Sequence, residues 1–389
     1  MPKPINTSVQ PTTIVAVEPA VPFLPVRSEV WVMARFYPLD HFYTGQKHGN
    51  WTSGFLAGVP ACPRAVPADT IARYPPTIGS SVTLRVLVPW QQLADGLKLP
   101  GIEPILWHIN DDPHDAPEAD VLVTERPVDP ERRARVARIK GLQHVHLLSI
   151  GYEWVLEHLP RQATLTNSRG AVEDATAEHC LTLVLASLRE LPQALEQQRE
   201  QRWERIWTSS LHGSTVLLLG VGGVGSAIAE RLAPFKPAQV ITVASTPRTL
   251  PDGNAIHGID SIEALLPQAD VVIVALPHTA RTEKLVNAKF LARLRDGALL
   301  VNIGRGPIVD TDALLPELNS GRIRAALDVT DPEPLPADHA LWTAQNCIIT
   351  PHMAGDTGEF LKLVSELAIE QVRGIHAGKK PFNVVTDRN

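Results

Sequence analysis

Thr215–Leu219 reads TVLLL, an apolar run that stops at Gly220-Val221-Gly222-Gly223-Val224-Gly225 and resumes as SAIAERLA. A strand that ends in G-x-G-x-x-G and opens at once into a helix has few folds open to it. The three spaced glycines permit a tight bend, close backbone approach to a pyrophosphate, and tight packing of helix on strand. The helix N-terminus then faces the phosphates. A lone fingerprint says little. Here a strand precedes it, a helix follows, and a second apolar strand comes at Val240–Ala244, so the stretch predicts a dinucleotide-binding parallel sheet. Gly223 and Val224, inside the turn, join Gly220, Gly222 and Gly225 as candidate cofactor contacts.

The residues after the second strand bear on which dinucleotide. A site for NAD usually places an Asp or Glu there for the ribose hydroxyls. This chain reads Ala244-Ser245-Thr246-Pro247-Arg248. Hydroxyls and a guanidinium suit a 2′-phosphate, so Ser245, Thr246 and Arg248 lean the expectation toward NADP(H) over NAD(H).

Three further short strands are expected at Ala298–Ile303, Ala325–Val329 and Cys347–Thr350. They end, in order, at Arg305, at Asp328 with Glu333, and at His352. Ligands of open parallel sheets lie at the carboxyl ends of the strands, which makes this edge a candidate active site. Arginine's planar fork grips a carboxylate through two charge-assisted hydrogen bonds. Histidine exchanges a proton near neutral pH, and a carboxylate beside it fixes its tautomer. That set suits interconversion of a 2-keto acid and a 2-hydroxy acid, given a hydride carrier nearby.

The blocks VNIGRGPIVDTDALLPELNSGRI, ALDVTDPEPLPADHALW and NCIITPHMAG resemble the D-isomer-specific 2-hydroxyacid dehydrogenase family in order and spacing as well as residue type. The resemblance extends over roughly residues 83–385, with Gly304 departing from the family's usual Ala or Ser. It implies that Arg305 binds the substrate carboxylate and keto oxygen, that His352 is the acid–base group, and that Glu333 is its partner. It also implies substrate contacts from the turn at Ile150 and Gly151, and cofactor contacts at Pro277, Ile303 and Asp328. Stereochemistry for the D-isomer follows from the resemblance alone, and homodimerisation is a family expectation to which the Trp203/Trp207 pair lends support.

The fold class expected is α/β: two Rossmann-like or flavodoxin-like domains with parallel sheets and an interdomain cleft, plus a Pro-rich N-terminal extension. Residues 181–354 form the dinucleotide domain, and residues 82–180, completed by 355–389, the substrate or lid domain. Runs such as LRVLVPW, IEPILWHI, ADVLVTERP and HVHLLSIG supply its strands, with a basic-faced helix over Asp129–Lys140. A helix is expected with Leu181, Val184, Leu185 and Leu188 on one apolar face, and the resemblance implies that it crosses between the two domains. Trp203 and Trp207, four apart, are expected on one helical face as core or as a subunit contact.

Twelve of the 34 prolines fall in residues 1–81. That segment reads as a poorly ordered extension, with an aromatic-anchored arm or a translated leader before Val82 as alternatives. The net charge of −6 argues against nucleic acid. Three separated cysteines offer no metal or redox spacing and suit a reducing cytoplasm. No apolar run approaches the roughly 18 residues of a membrane span. Two rival functions share the scaffold: a dinucleotide-sensing, corepressor-like binding protein, and a dehydrogenase of formate or phosphite.

Overall fold

A computed structural model describes residues 83–250 and 253–385. The extension over 1–81, in each of its readings, lies outside the described residues.

Short, wholly apolar runs set the framework. β1 (Leu84–Val88), β2 (Ile102–Leu106), β3 (Val121–Thr124), β4 (His144–Leu147) and β5 (Thr164–Asn167) form one sheet in the order β2-β1-β3-β4-β5. Every pair is parallel, the flavodoxin-like arrangement. Val121 to Thr124 are all buried, as expected of a strand covered on both faces. The Phe360–His376 helix returns from the far end of the chain and seats Val364, Ala368 and Val372 against Leu84, Val86 and Val121.

The second sheet holds β6 (Thr215–Leu219), β7 (Gln239–Ala244), β8 (Arg248–Thr249), β9 (Ala255–Gly258), β10 (Val271–Val274), β11 (Leu299–Asn302), β12 (Arg324–Leu327) and β13 (Cys347–Ile349). Its order is β13-β12-β11-β10-β6-β7-β9-β8. All pairs are parallel except the edge strand β8 on β9. Strand order reverses at β6, the switch point where a dinucleotide crevice opens. The Glu173–Leu188 helix packs Ala177, Cys180, Leu181, Val184 and Leu188 on one face of this sheet beside Ile228 and Leu232. The opposite face is filled by Leu217, Leu219, Val272, Leu300 and Leu314. Burying each large side chain contributes roughly 1.5–3 kcal/mol.

Two expected helices are corrected. Asp129–Lys140 is not one helix with its basic face in water. Asp129 caps a single turn at Pro130–Ala134, and a separate 3-10 turn follows at Val136–Arg138. Arg135 turns inward instead, only 8% exposed. It donates to the carbonyls of Ile109, Asp112 and His114 and stacks 4.7 Å over the Trp107 ring. The carbonyls of the 109–114 loop needed a buried donor, and that need outweighs helical periodicity. Trp203 and Trp207 are likewise not on a helix. The Leu191–Arg199 helix ends where Gln201 turns left-handed, with φ of 56°. Beyond it, charged residues leave no continuous apolar stripe to bury, and both indoles are exposed.

Candidate active site

The carboxyl ends of β11, β12 and β13 lie side by side, because Asn302 pairs with Leu327 and Leu327 with Ile349. Arg305, Asp328 and His352 leave the sheet within three residues of those ends. Gly306 fixes the first loop against the second. A Cβ there would stand 1.8 Å from the Thr330 carbonyl oxygen, so only glycine lets the loops touch. Asn302 pins the arginine loop by donating to the Arg305 carbonyl and accepting from the Gly304 amide.

Glu333 and His352 meet directly, with Oε1 of the acid 2.7 Å from Nδ1 of the imidazole. Burial alone would push the Glu333 carboxyl up. The hydrogen bond from His352, with the charges of His352 and Arg126, outweighs it and holds the group below its ordinary value. His352 sits in the left-handed region at φ 52°, a conformation that costs a non-glycine residue of order 1 kcal/mol. Asp328 holds it there. Its carbonyl accepts the His352 amide at 2.8 Å, and its buried carboxylate accepts from Thr350 Oγ1 and the amides of Met353 and Ala354. Burial opposes ionisation of Asp328, but these bonds and His179 win, and its carboxyl is lowered.

Both loops face the first sheet. Arg305 Nε lies 3.4 Å from Glu153 Oε1, and a Cβ on Gly151 would stand 2.4 Å from Arg305 Nη2. Arg126 Nη1 approaches Glu333 Oε1 at 3.4 Å. Arg126 follows β3 and Gly151 follows β4, which are neighbouring strands. Arg305 and the Glu333–His352 pair therefore look across one cleft at one opposing edge. The edge is open: the side chains of Arg305, Glu333 and His352 are 28%, 29% and 41% exposed. Two surface hollows, beside Phe382 and beside Phe290, lie away from it. They carry none of the strand-end chemistry.

The glycine turn has the shape a pyrophosphate needs. Gly220 has φ of 108°, and a Cβ there would stand 2.3 Å from the Ala275 carbonyl oxygen; one on Gly225 would stand 2.0 Å from that of Gly220. Nothing lies within 4 Å of a Cβ built on Gly222, so the mouth of the Gly223–Leu232 helix is clear. Gly223 lies against Glu173 and Val224 packs into the core, leaving their amides as the available groups. Pro277 and His278 form the turn beyond β10, and His278 Nε2 is shielded from solvent with no hydrogen-bond partner among the described residues. These residues fit a dinucleotide. Ser245 and Thr246, between β7 and β8, and Arg248, the first residue of β8, are all exposed. Ile303 is buried and Asp328 is engaged as described. Ile150 offers its carbonyl to Asn167, while Gly151 lies under the guanidinium.

Several residues of this edge escape a reading of the sequence. His179 Nε2 reaches Thr350 Oγ1 at 3.1 Å and Asp328 at 3.4 Å; its one signal is a polar residue on an apolar helix. Glu153 and Arg126 carry only the weak signal of following strands. Among the described residues, no cluster of three His, Cys, Asp or Glu side chains is arranged to hold a metal, and no helix is long and apolar enough to cross a membrane.

Residues 181–354 match the family described as "D-isomer specific 2-hydroxyacid dehydrogenase, NAD binding domain". The human glyoxylate reductase/hydroxypyruvate reductase is 38% identical over 246 residues, 61% of this chain and 75% of that protein. A D-isomer-specific 2-hydroxyacid dehydrogenase from Xanthobacter autotrophicus, solved with NADPH, superposes with a TM-score of 0.67 at 29% identity, covering 79% of this chain and 99% of its own. An NADPH-dependent glyoxylate/hydroxypyruvate reductase from Sinorhizobium meliloti, solved with NADP and malonate, gives 0.66 at 27% identity, covering 79% and 98%.

Proposed function

Because the chain belongs to the D-isomer-specific 2-hydroxyacid dehydrogenase family, and is thus an NAD(P)-dependent oxidoreductase of CH–OH donors, we propose that it works by an Arg305–Glu333–His352 site. In this reading small 2-keto acids and D-2-hydroxy acids interconvert in the cleft between the sheets. Residues 181–354 serve as the dinucleotide lobe, and 82–180 with 355–389 as the substrate lobe. The observation that carries the assignment is the 2.7 Å contact between His352 Nδ1 and Glu333 Oε1, on the same cleft wall as Arg305.

The amides of Gly222 to Gly225 at the mouth of the helix would hold the pyrophosphate, with Pro277, Ile303 and Asp328 toward the nicotinamide end. When bound, the dinucleotide would supply or accept the hydride. Arg305 Nη2 and the amides of Ile150 and Gly151 anchor the carboxylate, so the keto carbon is held in place before reaction. Glu333 occupies Nδ1 of His352, which leaves Nε2 to hand a proton to the developing alkoxide, or to take it back in oxidation. Arg305 also answers the charge that builds on that oxygen. An acid-free Ser245–Arg248 segment supports NADP(H) over NAD(H). The exposed Trp203 and Trp207 support a homodimer, and the separated cysteines a cytoplasmic setting.

The test is a spectrophotometric panel of glyoxylate, hydroxypyruvate and pyruvate with NADH and NADPH in parallel. Turnover with NADPH on at least one acid is expected; silence across the panel would overturn the reading.

A further inference from the structure

Glu153 is a carboxylate in the place where a carboxylate-binding site has least use for one. It follows the Ser149–Gly151 turn at the end of β4, two residues beyond Gly151. One oxygen, Oε2, accepts the Tyr152 amide at 3.0 Å, which fixes the side chain beside the turn. The other lies 3.4 Å from Arg305 Nε. Arg305 is the one cation within ion-pair range of Glu153 among the described residues, and Glu153 the one such anion for Arg305. The contact does not meet hydrogen-bond geometry, so Glu153 biases the field at the guanidinium without steering it. Arg305 is oriented by its own loop, through Nη1 to the Gly304 carbonyl at 2.7 Å.

That arrangement leaves Nη2, lying over Gly151, as the corner of the fork nearest the first lobe's amides. A Cβ on Gly151 would touch Nη2 at 2.4 Å and Glu153 Oε2 at 3.4 Å. A substrate carboxylate using this corner therefore arrives within a few ångströms of a fixed negative charge. Arg126, the guanidinium that reaches the same wall from β3, is directed at Glu333 and does not answer Glu153. At such separations, in a partly buried cleft, like charges oppose one another strongly. One substrate charge is tolerated because Arg305 serves both carboxylates. Among the described residues no further cation lies within ion-pair range of Glu153 to offset a second.

On the reading of the cleft given above, we propose that Glu153 is a specificity-determining residue that restricts the site to singly charged 2-keto acids. Glyoxylate-like and hydroxymethyl-bearing acids pass, and acids carrying a second carboxylate or a phosphate are turned away. Glu153 is outside the proton-transfer pair and acts on which anions bind.

Oxamate and oxalate give the cleanest comparison, being nearly the same planar shape with one and two negative charges. Their dissociation constants are measured by calorimetry on the full chain with NADPH present, for the wild type and for Glu153→Gln, whose amide oxygen can still accept from Tyr152. The expected result is a gain of at least fivefold in affinity for oxalate relative to oxamate. Glu153→Asp, which keeps the charge and guards against a folding artefact in the first variant, should leave that ratio within twofold of the wild type. The ratio of kcat/KM for oxaloacetate over hydroxypyruvate should rise in parallel in Glu153→Gln. Binding of both anions with an unaltered ratio overturns the role of Glu153 alone. Failure of both anions to bind, with no turnover of any keto acid, overturns the reading of the cleft and this proposal together.

Discussion

Nδ1 of His352 and Oε1 of Glu333 stand 2.7 Å apart although their loops leave different strands, β13 and β12. The acid is held ionised below its ordinary range despite partial burial, so it can accept the Nδ1 proton and keep Nε2 turned to the substrate. Glu333→Gln should lower kcat by about 10–100-fold, and His352→Gln by at least as much, as expected for loss of a positioned acid–base group. Steady-state kinetics with unchanged thermal stability would establish this. Near-normal turnover in either would mean that another group moves the proton.

Arg305→Ala should reduce kcat/KM by about 100-fold or more, the scale seen when a donor aimed at developing charge is removed. Arg305→Lys should recover little of it, because a point charge cannot reproduce the guanidinium fork. Circular dichroism should show both variants folded, since Arg305 is partly exposed.

Gly220→Ala tests the turn. The new methyl would meet the Ala275 carbonyl oxygen at 2.3 Å, in a backbone at φ 108°. A loss of about 1–3 kcal/mol in stability is expected, together with weakened quenching of NADPH fluorescence. Retained cofactor affinity would count against this turn as the pyrophosphate cradle.

Arg248→Ala should lower the preference for NADPH over NADH by about tenfold, the share a single charge-assisted contact to a 2′-phosphate can carry. Parallel KM measurements with the two cofactors decide it. An unchanged ratio would return Arg248 to the open surface.

His146 gives a pH-dependent signature unrelated to the site. Burial against Thr166 and Ser168 lowers its pKa to about 4 from the ordinary 6.5. The unfolded chain then binds the proton first, so the contribution is full above pH 6.5 and is lost as pH falls toward about 4. The total at stake is about 3 kcal/mol. His146→Gln should flatten the dependence of Tm on pH between 6.5 and 5, above the range where most carboxyls titrate.

Most of the framework was legible because parallel strands covered on both faces are written as short apolar runs. Thr215–Leu219 appears as a strand at the expected residues. The edge holding Arg305, Asp328 and His352 was also legible, since strand ends are ordered by the sheet itself. What could not be read came from long-range contacts. Nothing local marks Glu153 as lying beside Arg305, which depends on how the two sheets face one another, or His179 as reaching Asp328, which depends on how the Glu173–Leu188 helix packs on the second sheet. The charged 129–140 stretch misled for a related reason: the loop carbonyls that draw Arg135 inward are more than twenty residues away.

Gly306 under the Thr330 carbonyl has a consequence for how such a protein can change. The arginine and the acid–imidazole pair ride on one rigid platform, so an alteration in one would disturb the other. The opposing 149–156 segment is joined to that platform only through space. New substrate tastes can therefore be acquired by rewriting that single loop while the proton-moving apparatus is inherited untouched.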